Sequence, residues 1–286
     1  MILNVRIRYF LTILSAAVLL SSCGRSFSVE VSNPTGNDRL AEMAEIDGEL
    51  IASKVKLSEG EEYGVFDKSG KRLPSQFTSD GKLIFPVQLS ASQKQTFKVK
   101  AVPAGENPAQ PVACGRVYPE RMDDLAWEND KAGFRAYGPT LQSKGERGFG
   151  YDIFTKRGTS APVLDQLYAA ETNPEKWELI RELRKTDPAK ADSLYRAASY
   201  HIDHGYGMDC YAVGPTLGAG VAALIGDNGE ILYPWCWKEV EILDNGPLRF
   251  RAKLTFHPME VAEGETVVET RIITLDAGSH FNRTQV

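Results

Sequence analysis

Neither basic nor acidic residues dominate this chain. Its 286 residues carry 33 Lys and Arg against 38 Asp and Glu, a formal net charge of -5. Recognition of nucleic acid needs a basic face, so no nucleic-acid partner is expected. Cysteine is also sparse, at 4 residues, with no CxxC and no pair at structural-zinc spacing. If Cys23 is modified, as argued below, Cys114, Cys210 and Cys236 remain, and a monomer can close at most one disulfide. We read the three as small buried apolar residues, with the disulfide as the alternative. The Gly-rich segment Val213–Gly220 lacks the GK[ST] ending of a phosphate loop and the acidic residue of a dinucleotide fingerprint. It reads as a turn into a strand at Val221–Ile225. No cofactor is expected. No internal repeat or low-complexity tract occurs. Hydrophobic residues at 42% and charged residues at 25% exclude bulk disorder.

What is present begins with an address. Arg6 and Arg8 precede the apolar run Phe10–Leu20, which is too short to cross a bilayer but suits a signal peptide. The run ends in Leu20-Ser21-Ser22-Cys23. Small residues before a Cys resemble a bacterial lipobox, in which Cys23 is lipidated and becomes the first residue of the mature chain. Residues 1–22 are then the signal, and the membrane is met only through acyl chains. Gly24-Arg25-Ser26 follow without an acidic cluster, so the expected location is the bacterial periplasm, lipid-anchored.

Residues 23–102 read as a small β-sandwich module. Phe27–Val31 alternates with period two, and Asn33–Asn37 is a turn cluster. Lys54–Leu57 is expected to pair with Tyr63–Phe66, with a tight turn at Asp67–Lys71. Leu83–Val87 and Thr96–Lys100 add strands. Pro103, Pro108 and Pro111 mark residues 103–111 as a linker. In residues 112–286, strands are predicted at Gly133–Tyr137, Tyr151–Lys156, Leu248–His257 and Thr266–Leu275. A helical insertion is predicted at about 161–200, with Pro174 after the cap residue Asn173 and a second amphipathic piece at Pro188–Tyr200. The last residues, His280–Val286, stop inside a strand pattern, either as an edge strand or because the reading frame is truncated; we expect the latter.

Three clusters can carry chemistry. In the first, Arg121, Trp127, Glu128 and Asp130 lead into Arg135 and Tyr137. An aromatic face packs on the C–H face of a sugar, and Arg pairs with a uronate carboxylate. Period two places Arg135 and Tyr137 on one face. The second is Tyr200–Asp209, holding His201 and His204, two of the four histidines, with Asp203 and Asp209 beside them. Imidazole suits proton transfer near neutral pH, and a neighbouring carboxylate fixes its tautomer. HxxH is also a metal-ligand spacing, but the helical HExxH context is missing. In the third, Trp235 and Trp237 share a face, as core or as a cleft wall.

The stretches Met122–Pro139, Gly150–Lys156, Tyr200–Asp209, Gly214–Gly220 and Ile273–Thr284 together resemble the DUF4861 family of secreted Bacteroidetes proteins. The resemblance also takes in Val31–Pro86, so it covers essentially all of the mature chain. It implies a mainly β fold, with a small β-sandwich before a β-supersandwich like that of galactose mutarotases. Family members usually continue beyond the point where this chain stops, which implies C-terminal incompleteness. Members tend to sit among systems that degrade pectin and other uronate glycans. No single reaction is implied, because fold does not settle function.

Two functions follow as expectations. One is an enzyme on uronate-containing, pectin-like saccharides, of lyase, hydrolase or epimerase type. His204 would be its general acid or base, His201 its partner, and Asp203 or Asp209 the residue orienting an imidazole. Glu128 or Asp130 would be the second acid or base, and Arg121, Arg135 and Tyr151 would contact substrate. The other is a non-catalytic carbohydrate-binding lipoprotein that stacks sugar on Trp127, Trp235, Trp237 and Tyr137.

Overall fold

The structure is a computed structural model that describes residues 25–286. The signal segment and Cys23 lie outside the described residues. The chain is mainly β, built of antiparallel sheets with few helices. It divides into two compact units, residues 25–77 with 81–108, and residues 78–80 with 109–286.

The first unit holds β1 (Ser26–Ser32), β2 (Arg39–Asp47), α1 (Gly48–Lys54), β3 (Glu61–Phe66), β4 (Arg72–Leu73), β5 (Gln76–Phe77), β6 (Lys82–Leu89) and β7 (Lys94–Pro103). They form two sheets, ordered β1-β7-β3-β4 and β2-β6-β5. Alternation makes each sheet one-sided: Phe27, Val29 and Val31 of β1 are buried with Phe85 and Val87 of β6 in one core. This is a β-sandwich. Asp67 fixes the β3–β4 turn by accepting from the backbone N–H groups of Ser69 and Lys71 at 2.8 and 3.0 Å.

One expectation fails here. Residues 54–57 do not pair with β3, which lies between β7 and β4. The side chain of Asp47 accepts from the backbone N–H groups of Glu49 and Leu50 and starts α1 instead. Val55, read as a strand residue, is the C-cap of that helix and is buried with Ile51.

The second unit begins with β8 (Cys114–Tyr118), β9 (Asp124–Glu128), β10 (Ala132–Ala136), α2 (Pro139–Ser143) and β11 (Tyr151–Thr155). Three helices follow, α3 (Leu164–Glu171), α4 (Pro174–Thr186) and α5 (Pro188–Ala198). Then come β12 (Leu224–Ile225), β13 (Ile231–Leu232), β14 (Trp237–Asn245), β15 (Arg249–Phe256), β16 (Met259–Ala262), β17 (Glu265–Val267), β18 (Thr270–Asp276) and β19 (Arg283–Gln285). The strand expected over residues 221–225 shrinks to β12, whose two side chains are exposed and find no core to hold a longer run.

Two four-stranded sheets, β11-β10-β9-β8 and β14-β15-β18-β19, face each other. Leu125, Trp127 and Phe134 of one meet Phe250, Ala252, Leu254, Ile273 and Leu275 of the other. The other face of the first sheet is not solvated. Helix α3 covers it, and Leu164, Leu167 and Tyr168 pack with Tyr118, Ala126, Phe154 and Tyr200. Both faces of β9 and β10 are therefore buried, and every residue of these two strands is inaccessible. Helices α4 and α5 start alike: Asn173 and Asp187 accept from the backbone N–H three residues on, and a proline takes the first helical position.

Candidate functional site

Period-two alternation on the helix-covered face of the first sheet aligns Asp124 and Glu128 of β9, Arg135 of β10 and Asp152 of β11. The register sets Arg135 directly opposite Asp152. A guanidinium is thus buried among carboxylates, a placement tolerated only when the charges pair. Arg135 donates through Nη2 to Asp152 and, at 2.9 Å, to Asp209, and through Nη1 to the Tyr200 hydroxyl at 3.0 Å. Asp124 Oδ2 lies 3.8 Å from the same guanidinium. Tyr137 donates to Asp152 at 3.3 Å. Arg121 Nε donates to the Tyr200 hydroxyl at 3.3 Å.

The loop after α5 brings Asp209 and His201 to this layer. It runs along β11, with Thr155 N–H donating to Met208 O and Asp209 N–H to Tyr200 O, both at 2.9 Å. Gly207 allows the approach, since its φ is +113° and a Cβ there would sit 1.9 Å from the Thr155 carbonyl oxygen. His201 is more than half exposed, and its Nδ1 lies 3.6 Å from Asp209 Oδ2 and 3.3 Å from the Asp209 carbonyl oxygen. A proton on Nδ1 faces both acceptors, which leaves the Nε2 lone pair to exchange protons with a ligand.

Burial dominates the electrostatics. It pushes Asp124 up to about 6 against the pull of Arg135 and Arg121. Burial also raises Asp209, again opposed by Arg135. Glu171, which accepts from Tyr200 N–H at 3.3 Å, is raised by burial as well. Asp124 Oδ2, Arg121 Nη1, Arg135 Nε and the Tyr168 hydroxyl are buried without a hydrogen-bond partner. Unsatisfied polar atoms concentrated in one layer mark a site rather than a core.

Other candidate residues are placed differently. Trp127 is fully buried, with Phe134 and Phe250 stacked at 5.9 and 6.2 Å and Tyr151 edge-on at 5.2 Å. Its indole N–H donates to Asn282 at 2.8 Å. No face remains for a sugar, so the expected platform is a core residue. Tyr151 and Trp237 are buried too, and Trp237 donates to the Tyr137 carbonyl at 3.0 Å. Glu128 is buried in an ion pair with Lys156 at 2.7 Å and accepts from the N–H groups of Val163 and Leu164 at the start of α3. This anchors the helix and leaves no carboxyl for proton transfer. Asp130 accepts from Gly278 N–H at 2.6 Å. Arg135 is enclosed by its partners and cannot reach a uronate, whereas Arg121 is only partly buried.

His204 and Asp203 hold the loop together. His204 Nε2 lies 3.0 Å from the Ser199 carbonyl oxygen, and Asp203 accepts from Gly205 and Gly207 N–H at 2.7 and 3.0 Å. Trp235 alone among the tryptophans is half exposed, with His257 at 5.0 Å. The described cysteines 114, 210 and 236 are free, and Cys210 is exposed rather than buried. Among the described residues no group of three or more His, Cys, Asp or Glu is arranged to hold a metal.

The family described as "Domain of unknown function (DUF4861)" matches residues 31–286. The chain belongs to the DUF4861 family. A relative described as "Uncharacterized protein P7", from Formosa agariphila, is 28% identical over 295 aligned positions, spanning 96% of this chain and 67% of that protein. No solved structure matches. In this DUF4861 chain, three of the stretches that carry the family resemblance, around Asp124–Tyr137, Asp152 and His201–Asp209, converge on the buried charge layer. Asp124, Asp152, Tyr200 and Glu171 were not anticipated as site residues. The signal for Asp152 was available, because its strand alternates in the same way as that of Arg135.

Proposed function

We propose that this DUF4861 protein is a periplasmic, lipid-anchored enzyme acting on uronate-containing, pectin-like saccharides. His201 is its general acid or base. Asp209 orients the imidazole, and Arg135 and Asp152 are positioning residues that hold Asp209 through charge-assisted hydrogen bonds. Arg121, only partly buried, takes the substrate carboxylate. The supporting observation is the line of contacts from exposed His201 to buried Asp209 to Arg135. It supplies a proton-transfer group at the surface with a fixed counter-charge beneath it. Lyase, hydrolase and epimerase chemistry all draw on such a group.

The exposed indole of Trp235 supports a second reading, a non-catalytic carbohydrate-binding lipoprotein. The two part on His201→Ala and His204→Ala, assayed with uronate oligosaccharides. The enzyme reading expects a loss of about a hundredfold or more in turnover for the first, and a change within a few-fold for the second. Turnover equal to wild type in His201→Ala contradicts it, and binding without turnover by wild type selects the second reading.

A further inference from the structure

Glu171 is the last residue of α3, and its place there is fixed. Leu164, Leu167 and Tyr168 pack that helix onto the first sheet. The Glu171 carbonyl oxygen accepts from the indole N–H of Trp177 in α4. A side chain carried by such an anchored end is held more precisely than one on a free loop. Its Oε2 accepts from the backbone N–H of Tyr200, the residue before His201, at 3.3 Å. The Tyr200 and His201 rings meet edge-on at 4.7 Å. Arg121 reaches the far end of Tyr200, at its hydroxyl. Three groups with solvent access, Glu171, His201 and Arg121, therefore gather around one buried tyrosine.

Glu171 differs from the carboxyls of the charge layer. Asp124, Asp152 and Asp209 are enclosed, whereas Glu171 is only partly buried and can meet a ligand. Among the described residues its carboxyl has no other hydrogen-bond donor than the Tyr200 N–H, so Oε1 is left for a ligand. Burial raises the carboxyl from its ordinary value, opposed by that N–H and by the charges of His201, Arg121 and Arg135. A carboxyl and an imidazole that share one surface are a pair of unlike acids, the arrangement that takes one proton and gives another.

We propose that Glu171 is the second proton-transfer group of the His201 site. This role rests on the saccharide-enzyme reading above. A carboxyl is ordinarily the stronger acid of the two, so Glu171 acts as the carboxylate. It takes a proton from the saccharide or from an attacking water, and His201 Nε2 gives one to the saccharide. Each turnover leaves Glu171 protonated and His201 neutral, and proton exchange with solvent resets both. Glu171 thereby fills the place expected of Glu128 or Asp130.

The full chain in detergent micelles is assayed on uronate oligosaccharides from about pH 4 to 8, beside Glu171→Gln, Glu171→Asp and His201→Ala. Gln keeps an oxygen for the Tyr200 N–H, so a residue that only caps this loop tolerates the change. Glu171→Gln is instead expected to lower kcat about a hundredfold or more, with KM changed within a few-fold. The rise of kcat/KM on the acid side, present in wild type, is expected to disappear with it. Glu171→Asp keeps an ionisable carboxyl and is expected to keep that rise at a lower rate. Circular dichroism checks folding, and if Glu171→Gln does not fold, Glu171→Asp carries the test.

Turnover in Glu171→Gln within a few-fold of wild type overturns the proposal. So does an unchanged acid-side rise in that variant, or loss of the rise in Glu171→Asp. In each case an inactive His201→Ala leaves the His201 reading standing without Glu171. Wild type without turnover overturns the His201 reading itself, and the role of Glu171 with it.

Discussion

His201 Nδ1 lies 3.6 Å from Asp209 Oδ2, and that same oxygen accepts from Arg135 at 2.9 Å. One carboxylate oxygen therefore meets a surface imidazole on one side and a buried guanidinium on the other. Neutralising it alters the imidazole without touching the surface. Asp209→Asn is expected to lower turnover about tenfold or more, because the imidazole loses the carboxylate that orients it. Turnover of uronate oligosaccharides by wild type and variant, with folding of the variant checked by circular dichroism, tests this. A folded variant with wild-type turnover would make Asp209 a purely structural residue.

Asp124 links the charge layer to stability. Burial pushes its carboxyl up from 3.8 to about 6. A raised carboxyl contributes stability that is fully present below the unfolded value and is lost as pH rises through about 6. Over that window the loss is on the order of 3 kcal/mol. Asp124→Asn keeps an oxygen for the Gly138 N–H and cannot ionise. Relative to wild type, the variant is expected to gain stability steadily from about pH 4 to 7. Denaturant unfolding across that range measures the difference, and a pH-independent gap would contradict the burial argument.

Trp127 is a packing residue. Trp127→Ala is expected to cost about 3–5 kcal/mol, read as a lower denaturant midpoint, because it empties the space between Phe134 and Phe250. A variant of unchanged stability that no longer bound saccharide would restore Trp127 as a sugar contact.

The misreading of Trp127 has a physical origin. An aromatic among charged residues looks like a binding loop, yet the alternation of Asp124–Glu128 already separates Leu125 and Trp127 from Asp124, Ala126 and Glu128. Both sets are buried only because α3 covers the outer face, and that covering is tertiary. Helix α4 was legible from Asn173-Pro174, and α5 from the amphipathic run that starts at Pro188. The Arg135–Asp152 pair was half legible: alternation gives each residue a face, but only the register sets them opposite each other. The choice of His201 over His204 was not legible, since it depends on which ring nitrogen meets Ser199 and which meets Asp209.

Membrane attachment is a separate prediction. Cys23→Ala is expected to shift the protein from the membrane fraction to the soluble periplasmic fraction on cell fractionation. Unchanged membrane retention would remove the lipid anchor from the account.

The most direct test of the central claim is a proton NMR time course of the full chain with saturated and unsaturated uronate oligosaccharides, with His201→Ala run in parallel. The account predicts new sugar resonances with wild type and none with the variant, and the new signals identify the bond or carbon centre that changes. Product formation of equal rate in the variant, or line broadening without any product in wild type, would contradict it.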